Sequence, residues 1–265
     1  MKNRYLYRYF FKNVLQSFLF WLAMFVVVSE FAAPLLLNFD KLTSQGAVDM
    51  QRIILNQINT NLYILGFLLA PMFGIIAGRA LVNREGQVLL AHRTSRANFY
   101  VHSFLFYGLI LLVIWLIFVG IYLLVMHVFN QPIHADLMFK LLVSLFGVLL
   151  PYLWVGFCAV NTKPIAAGLI YIVLFVTVPA MAQVLDRQGA SVGMMTAGTG
   201  LKAISLSVPD VQTFQLIASP FSKLDRSSTN NTTIRLFSYG LLWAVFLLVS
   251  GFLVYIRKDM VDPHS

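Results

Sequence analysis

The chain has 265 residues, of which 59% are hydrophobic and 11% are charged, and its formal net charge is +9. This composition excludes a soluble globular domain, because the apolar residues form long blocks instead of the stripe of an amphipathic core helix. The basic residues stand at the ends of these blocks, which is typical of orientation signals in membrane proteins and does not favour nucleic acid as a partner. We therefore predict an all-α, polytopic membrane protein with one transmembrane domain, which membrane lipids surround.

The N-terminal residues 1–13 combine aromatic with basic side chains, and the apolar block 14–37 follows them. Tyrosine and cationic side chains both favour the headgroup layer, so we predict a helix that lies along the membrane interface over 1–13. The block 14–37 is longer than the apolar core of a signal peptide, which has roughly 7–15 residues. It is therefore predicted to be a retained first span.

Five further spans are predicted from the remaining apolar blocks, because about 20 apolar residues cross a bilayer as a helix. A short charged segment, 81–98, separates the second span from the third, and a long polar loop, 186–233, precedes the sixth. The loop is expected to lie outside the cytoplasm. The predicted spans after the first are, in chain order, about 61–80, 99–127, 138–160, 164–185 and 234–256.

The distribution of lysine and arginine predicts the orientation of these six spans. An even number of spans places both termini on the same side, and short cytoplasmic loops carry an excess of basic residues. With a cytoplasmic N-terminus, the outer short loops hold only Lys41, Arg52 and Lys140. We therefore expect a multi-pass protein of the plasma or inner membrane, with both termini cytoplasmic and the following basic residues inside: Lys2, Arg4, Arg8, Lys12, Arg79, Arg84, Arg93, Arg96, Lys163, Arg257 and Lys258.

Small residues recur at every fourth position of the second predicted span, at Gly66, Ala70, Gly74 and Gly78. This spacing places them on one helix face, where small side chains let two backbones approach closely. The pattern predicts a helix-packing surface. It fits equally an interface that moves during a transport cycle, and the residues alone do not separate the two.

Glu30 is the one acidic residue deep in a predicted span. A carboxylate within a membrane is energetically costly, so Glu30 is a candidate for a residue of a substrate pathway. The alternative is that Glu30 lies near the outer end of the span and reaches the interface, or stands beside a kink at Pro34.

Motifs that would indicate chemistry in this chain are absent from the sequence. His92, His102, His127 and His134 follow neither HExxH nor a paired-cysteine spacing, so no metal site is predicted. No phosphate-binding glycine motif and no serine nucleophile elbow occurs. We therefore predict a non-enzymatic chain with no catalytic residue and no cofactor of its own.

The charged segment 81–98 is the most informative part of the sequence. Apolar Val82, Leu89 and Leu90 alternate with charged residues, as in a short amphipathic helix that lies on a membrane or enters a groove of a partner. The alternative is a solvated basic loop that only obeys the orientation rule. The charged residues of the segment are Arg84, Glu85, Arg93 and Arg96.

Arg84-Glu85-Gly86 at the start of this segment and Thr94-Ser95-Arg96 near its end carry a family resemblance. With six spans and a long outer loop before the last one, the chain resembles the permease subunits of type-2 ABC exporters. These have the pattern E-x-G-T-x-E-x-L, then a proline and Ser-Arg, between their second and third spans. Gln87 replaces the threonine, and the second glutamate and the proline are absent. The basic exit Tyr255–Met260 is also similar to the end of the family's last span.

The resemblance implies a permease that pairs with a second copy or a paralogue around a substrate pathway. A separate ABC ATPase subunit would bind ATP and Mg, and the 81–98 segment would be the coupling helix seated on it. The alternatives are a membrane scaffold or immunity-type protein and a lipid-modifying membrane enzyme. By the resemblance, the ATPase contacts are Arg84, Glu85, Gly86, Arg93, Ser95 and Arg96.

Overall fold

A computed structural model describes residues 2–37, 60–83, 95–128, 135–177 and 229–257, together with the single positions Gly86, Val88 and Asn130. The regular structure of this part of the chain is helical, without strands. Four of its helices are long and apolar enough to cross a membrane, and the bent pair at the N-terminus makes a fifth if it counts as one span. The prediction of a helical membrane protein is thus confirmed for the described residues, and the count of six spans stays a prediction.

Seven helices make up the described structure, and each is named here in chain order. A π-helical turn, Leu65–Leu69, lies within α3, and another, Val173–Thr177, continues α6. Their bounds are Lys2–Leu15 (α1), Phe18–Leu37 (α2), Thr60–Val82 (α3), Arg96–Val128 (α4), Ala135–Asn161 (α5), Pro164–Ile172 (α6) and Thr229–Arg257 (α7).

The first predicted span, 14–37, is broken near its start. Helix α1 continues to Leu15, and α2 begins at Phe18, with axes that differ by 64° between Arg4–Leu15 and Phe20–Ser29. Ser17 lies in the break and its hydroxyl accepts a hydrogen bond from the Phe20 amide at 3.3 Å. This is the role of an N-cap, which satisfies an amide left without a partner in the first turn of a helix.

The end of the chain differs from the predicted bounds as well. Helix α7 begins at Thr229, five residues before the predicted start of the sixth span at 234. The rest of that loop, and the last residues of the fifth predicted span, lie outside the described residues.

Helices α3 and α5 form the centre of the bundle and run in the same direction. Gly74 of α3 lies beside Tyr152 and Gly156 of α5, and Gly78 lies one turn further on beside Ala159. By contrast, α4 and α7 leave large apolar side chains exposed, such as Leu105 and Leu242. Exposed leucines of this kind are suited to contact with lipid tails.

The helices that the charged region joins lie together at one end of the bundle. Val82 ends α3 there and Arg96 begins α4, and the rings of Tyr100 in α4 and Tyr255 in α7 lie 5.6 Å apart. We call residues 83–95 the connector and this end of the bundle the connector end. The described basic residues predicted to be cytoplasmic belong to helices that begin, end or pack here: Arg4, Arg8, Lys12, Arg79, Arg96, Lys163 and Arg257.

Candidate functional site

Gly74 and Gly78 lie where α3 and α5 approach each other most closely. A Cβ atom added to Gly74 would stand 2.6 Å from the Tyr152 carbonyl oxygen and 2.8 Å from the Gly156 amide nitrogen. A Cβ on Gly78 would overlap the Cβ of Ala159. Both glycines therefore allow a backbone-to-backbone contact that no larger residue permits.

The other two members of this small-residue face are also enclosed. Ala70 is fully buried, and the carbonyl oxygen of Gly66 accepts a hydrogen bond from the Tyr171 hydroxyl at 3.4 Å. The opposing surface consists of Tyr152, Gly156 and Ala159 of α5, which hydropathy and span assignment do not single out. The small residues Gly156 and Ala159, three positions apart, are the signal that could have found it.

Tyrosine hydroxyls link the helices at several levels, which hydropathy does not predict. Each of these phenols donates to a backbone carbonyl oxygen of another helix. Such bonds occupy the polar end of a tyrosine inside an otherwise apolar bundle. The pairs are Tyr9 with Ala80 at 3.2 Å, Tyr100 with Leu248 at 3.3 Å, Tyr107 with Phe10 at 3.3 Å, and Tyr152 with Phe104 at 2.7 Å.

Gly86 is a buried position of the connector. A Cβ added to it would overlap the carbonyl oxygen of Ala80 and stand 3.4 Å from both the Phe99 ring and the Tyr9 hydroxyl. The Ala80 carbonyl belongs to the last turn of α3, where carbonyls lack partners within the helix, and it accepts the Tyr9 hydrogen bond instead. Gly86 thus packs against α1, α3 and α4.

Ser95 and Arg96 form hydrogen bonds that stabilise the start of α4. The Ser95 hydroxyl accepts a hydrogen bond from the Asn98 amide at 3.3 Å, so Ser95 acts as an N-cap. The Arg96 guanidinium donates to the Ile256 carbonyl oxygen at 3.4 Å, which ties α4 to the end of α7. A cation is favourable beside the unpaired carbonyls of a helix C-terminus. Both residues predicted to contact an ATPase therefore also have contacts within the chain.

Helix α1 is held against the first turns of α4 by aromatic side chains. Phe10 is fully buried, with its ring 5.5–5.7 Å from the rings of Phe99, Phe106 and Tyr107. At the exposed edge, the Tyr7 hydroxyl and Nδ1 of His102 are 3.0 Å apart and share a hydrogen bond. Gly86 of the connector and helix α1 therefore pack against the same part of α4, at Phe99.

Several predicted site residues lie outside the described structure. Arg84, Glu85 and Arg93 belong to the undescribed part of the connector. Glu30 is placed within α2, but its side chain is outside the described residues, so its assignment to a pathway stays a prediction.

The described residues contain no group of three His, Cys, Asp or Glu side chains that could hold a metal ion. Comparison of the chain with protein-family models, with curated proteins and with solved structures finds no match. The candidate functional site is the connector end, where α1, α3, α4 and α7 meet.

Proposed function

We propose that this chain is the membrane-spanning permease subunit of an ATP-driven ABC exporter. The observation that supports the proposal most strongly is the packing of Gly86 against the Ala80 carbonyl, the Phe99 ring and the Tyr9 hydroxyl. Closely packed groups transmit a displacement instead of absorbing it. A push on the connector would therefore move the ends of α1, α3 and α4, and Arg96 would extend the movement to α7.

In this proposal the mechanical work comes from a separate ATPase subunit, which binds ATP and Mg. We assign Arg84, Glu85 and Arg93 to the contact with that subunit. Gly86, Ser95 and Arg96 hold the connector to the bundle, as their contacts within the chain support. A second permease copy or a paralogue would complete the substrate pathway, and Glu30 is our candidate for a pathway residue.

Purification from native membranes tests the proposal directly. The chain, tagged and extracted in a mild detergent, is expected to bring down a nucleotide-binding subunit in stoichiometric amount, identified by mass spectrometry and by ATP hydrolysis. A stoichiometric partner without ATPase activity would favour the scaffold hypothesis. A purified chain that modifies lipids without any partner would favour the membrane enzyme. Either result would overturn the permease assignment.

The orientation of the connector end supplies a second test. In a Cys158→Ser background, Asn98→Cys places a thiol near the connector and Arg235→Cys places one near the start of α7, both at exposed positions. A membrane-impermeant maleimide applied to intact cells is expected to label the Arg235 variant and to reach the Asn98 variant only after permeabilisation. Labelling of the Asn98 variant in intact cells would show that the connector lies outside the cell and would contradict the proposal.

A further inference from the structure

A cleft of about 770 Å³ lies between α1 and α4 at the connector end. Two arginines, Arg4 and Arg8, stand one helical turn apart along it, so their Cβ atoms are about 6 Å from each other. Both side chains are exposed, and neither guanidinium has a hydrogen bond or an ion pair within the described residues. The rest of the lining is aromatic: Tyr5, Tyr7, Phe11 and Phe106.

The exposed face of α1 carries cationic side chains at Arg4, Arg8 and Lys12, and large aliphatic and phenylalanine side chains in its second half. Arg4 and Arg8 occupy its first half, whereas Phe11 and Leu15 are 53% and 45% exposed in its second half. Phe18, which begins α2, is 76% exposed. Cationic side chains are stable at headgroup depth and exposed phenylalanines at the depth of the lipid tails. Arg4 and Arg8 therefore suit the level of the lipid phosphates.

The α4 wall of the cleft continues into an apolar stripe. Phe106 lies in the cleft, with its ring 5.7 Å from that of Tyr7. Leu109, Val113 and Ile117 follow at spacings of three and four residues, and all are exposed. Residues at these spacings share one face of a helix. A molecule whose charged group sits between the arginines could lay a hydrocarbon chain along this stripe.

We propose that the cleft between α1 and α4 is a binding site for the phosphate group of an anionic phospholipid. Arg4 and Arg8 donate hydrogen bonds to the phosphate oxygens, as guanidinium groups do in paired, charge-assisted contacts. Phe11 and Phe106 flank the glycerol and the first methylenes, and one acyl chain follows the α4 stripe. A lipid bound at this site would hold α1 at a fixed depth in the membrane. The proposal of this site does not depend on the permease assignment.

Native mass spectrometry of the full chain in detergent tests the site, with palmitoyl-oleoyl phosphatidylglycerol as the probe. The Arg4→Gln/Arg8→Gln double variant is expected to bind this lipid on the order of twentyfold more weakly than the unaltered protein. The matched control is Lys12→Gln/Arg257→Gln, which removes the same charge from exposed positions outside the cleft. The control is expected to change the affinity less than about threefold.

Three results would overturn the assignment. Equal loss of binding in the control would show general attraction to a basic surface, and equally tight binding of phosphatidylcholine would remove the role of net charge. Displacement of the lipid by millimolar inorganic phosphate would show a site for free phosphate instead of a lipid. Arg4→Lys/Arg8→Lys keeps the charge but removes the paired guanidinium contacts, so its affinity is expected to lie between those of the unaltered protein and the glutamine variant.

Discussion

Replacing both Gly74 and Gly78 by alanine is expected to lower the unfolding temperature of the detergent-purified protein by on the order of 10 °C. The added methyl group at position 74 meets the Tyr152 carbonyl oxygen and the Gly156 amide, and that at position 78 meets Ala159. These are mainly backbone atoms, which cannot rotate away, so α3 and α5 must separate. Loss of the close contact removes the van der Waals packing that holds helices together where lipid provides no hydrophobic drive.

Gly120→Ala is the control for this experiment. Gly120 lies in α4, and nothing stands within 4 Å of a Cβ added there. Alanine is also the better helix former, by about 1 kcal/mol in water. The control is therefore expected to leave the unfolding temperature unchanged or to raise it slightly. If the unfolding temperature of the Gly74/Gly78 variant is equal to or higher than that of the unaltered protein, α3 and α5 do not meet as described.

Under the proposed assignment to an ABC exporter, Gly86→Val is expected to reduce the stimulation of ATP hydrolysis by this chain about fivefold or more. A side chain at position 86 overlaps the Ala80 carbonyl, so the connector must move away from the last turn of α3. An ATPase seated on a displaced connector could no longer pass movement to α1, α3 and α4. The measurement is the hydrolysis rate of the co-purified complex relative to that of the ATPase alone.

Val88→Leu is the matched control, because it enlarges a side chain in the same segment at a position that is 52% exposed. It is expected to leave both stimulation and complex formation intact. The unfolding temperature of each variant distinguishes a local shift of the connector from global destabilisation. Gly86→Ala adds a smaller side chain and so gives a milder form of the same clash. Full stimulation in a folded Gly86→Val complex would contradict the proposed path of coupling.

Arg96 is a less direct probe of the ATPase contact. Its guanidinium donates to the Ile256 carbonyl oxygen, so a substitution also loosens α4 from the end of α7. Ser95 has the same ambiguity, because it caps α4 through the Asn98 amide. The resemblance to a family motif assigned both residues to a partner, whereas a cap and a cross-helix hydrogen bond are roles within the chain.

Amino-acid composition and order were enough to predict that the chain is helical and that several of its helices suit a membrane. Apolar blocks such as 99–127 and 138–160 correspond to α4 and α5 within three residues at each end. The four-residue spacing of Gly66, Ala70 and Gly74 also defined one helix face without knowledge of the helix that packs against it. These are local properties, because hydropathy and helical periodicity depend only on neighbouring residues.

Which helices meet, and through which atoms, was decided by tertiary structure alone. Nothing in the sequence paired Gly78 with Ala159 or the Tyr9 hydroxyl with the Ala80 carbonyl, and nothing indicated that Gly86 is buried. The physical reason is that lipid tails are as apolar as the helices, so hydrophobicity does not choose between partners. Steric fit and hydrogen bonds between residues far apart in the chain make that choice, and they exist only once the helices are packed.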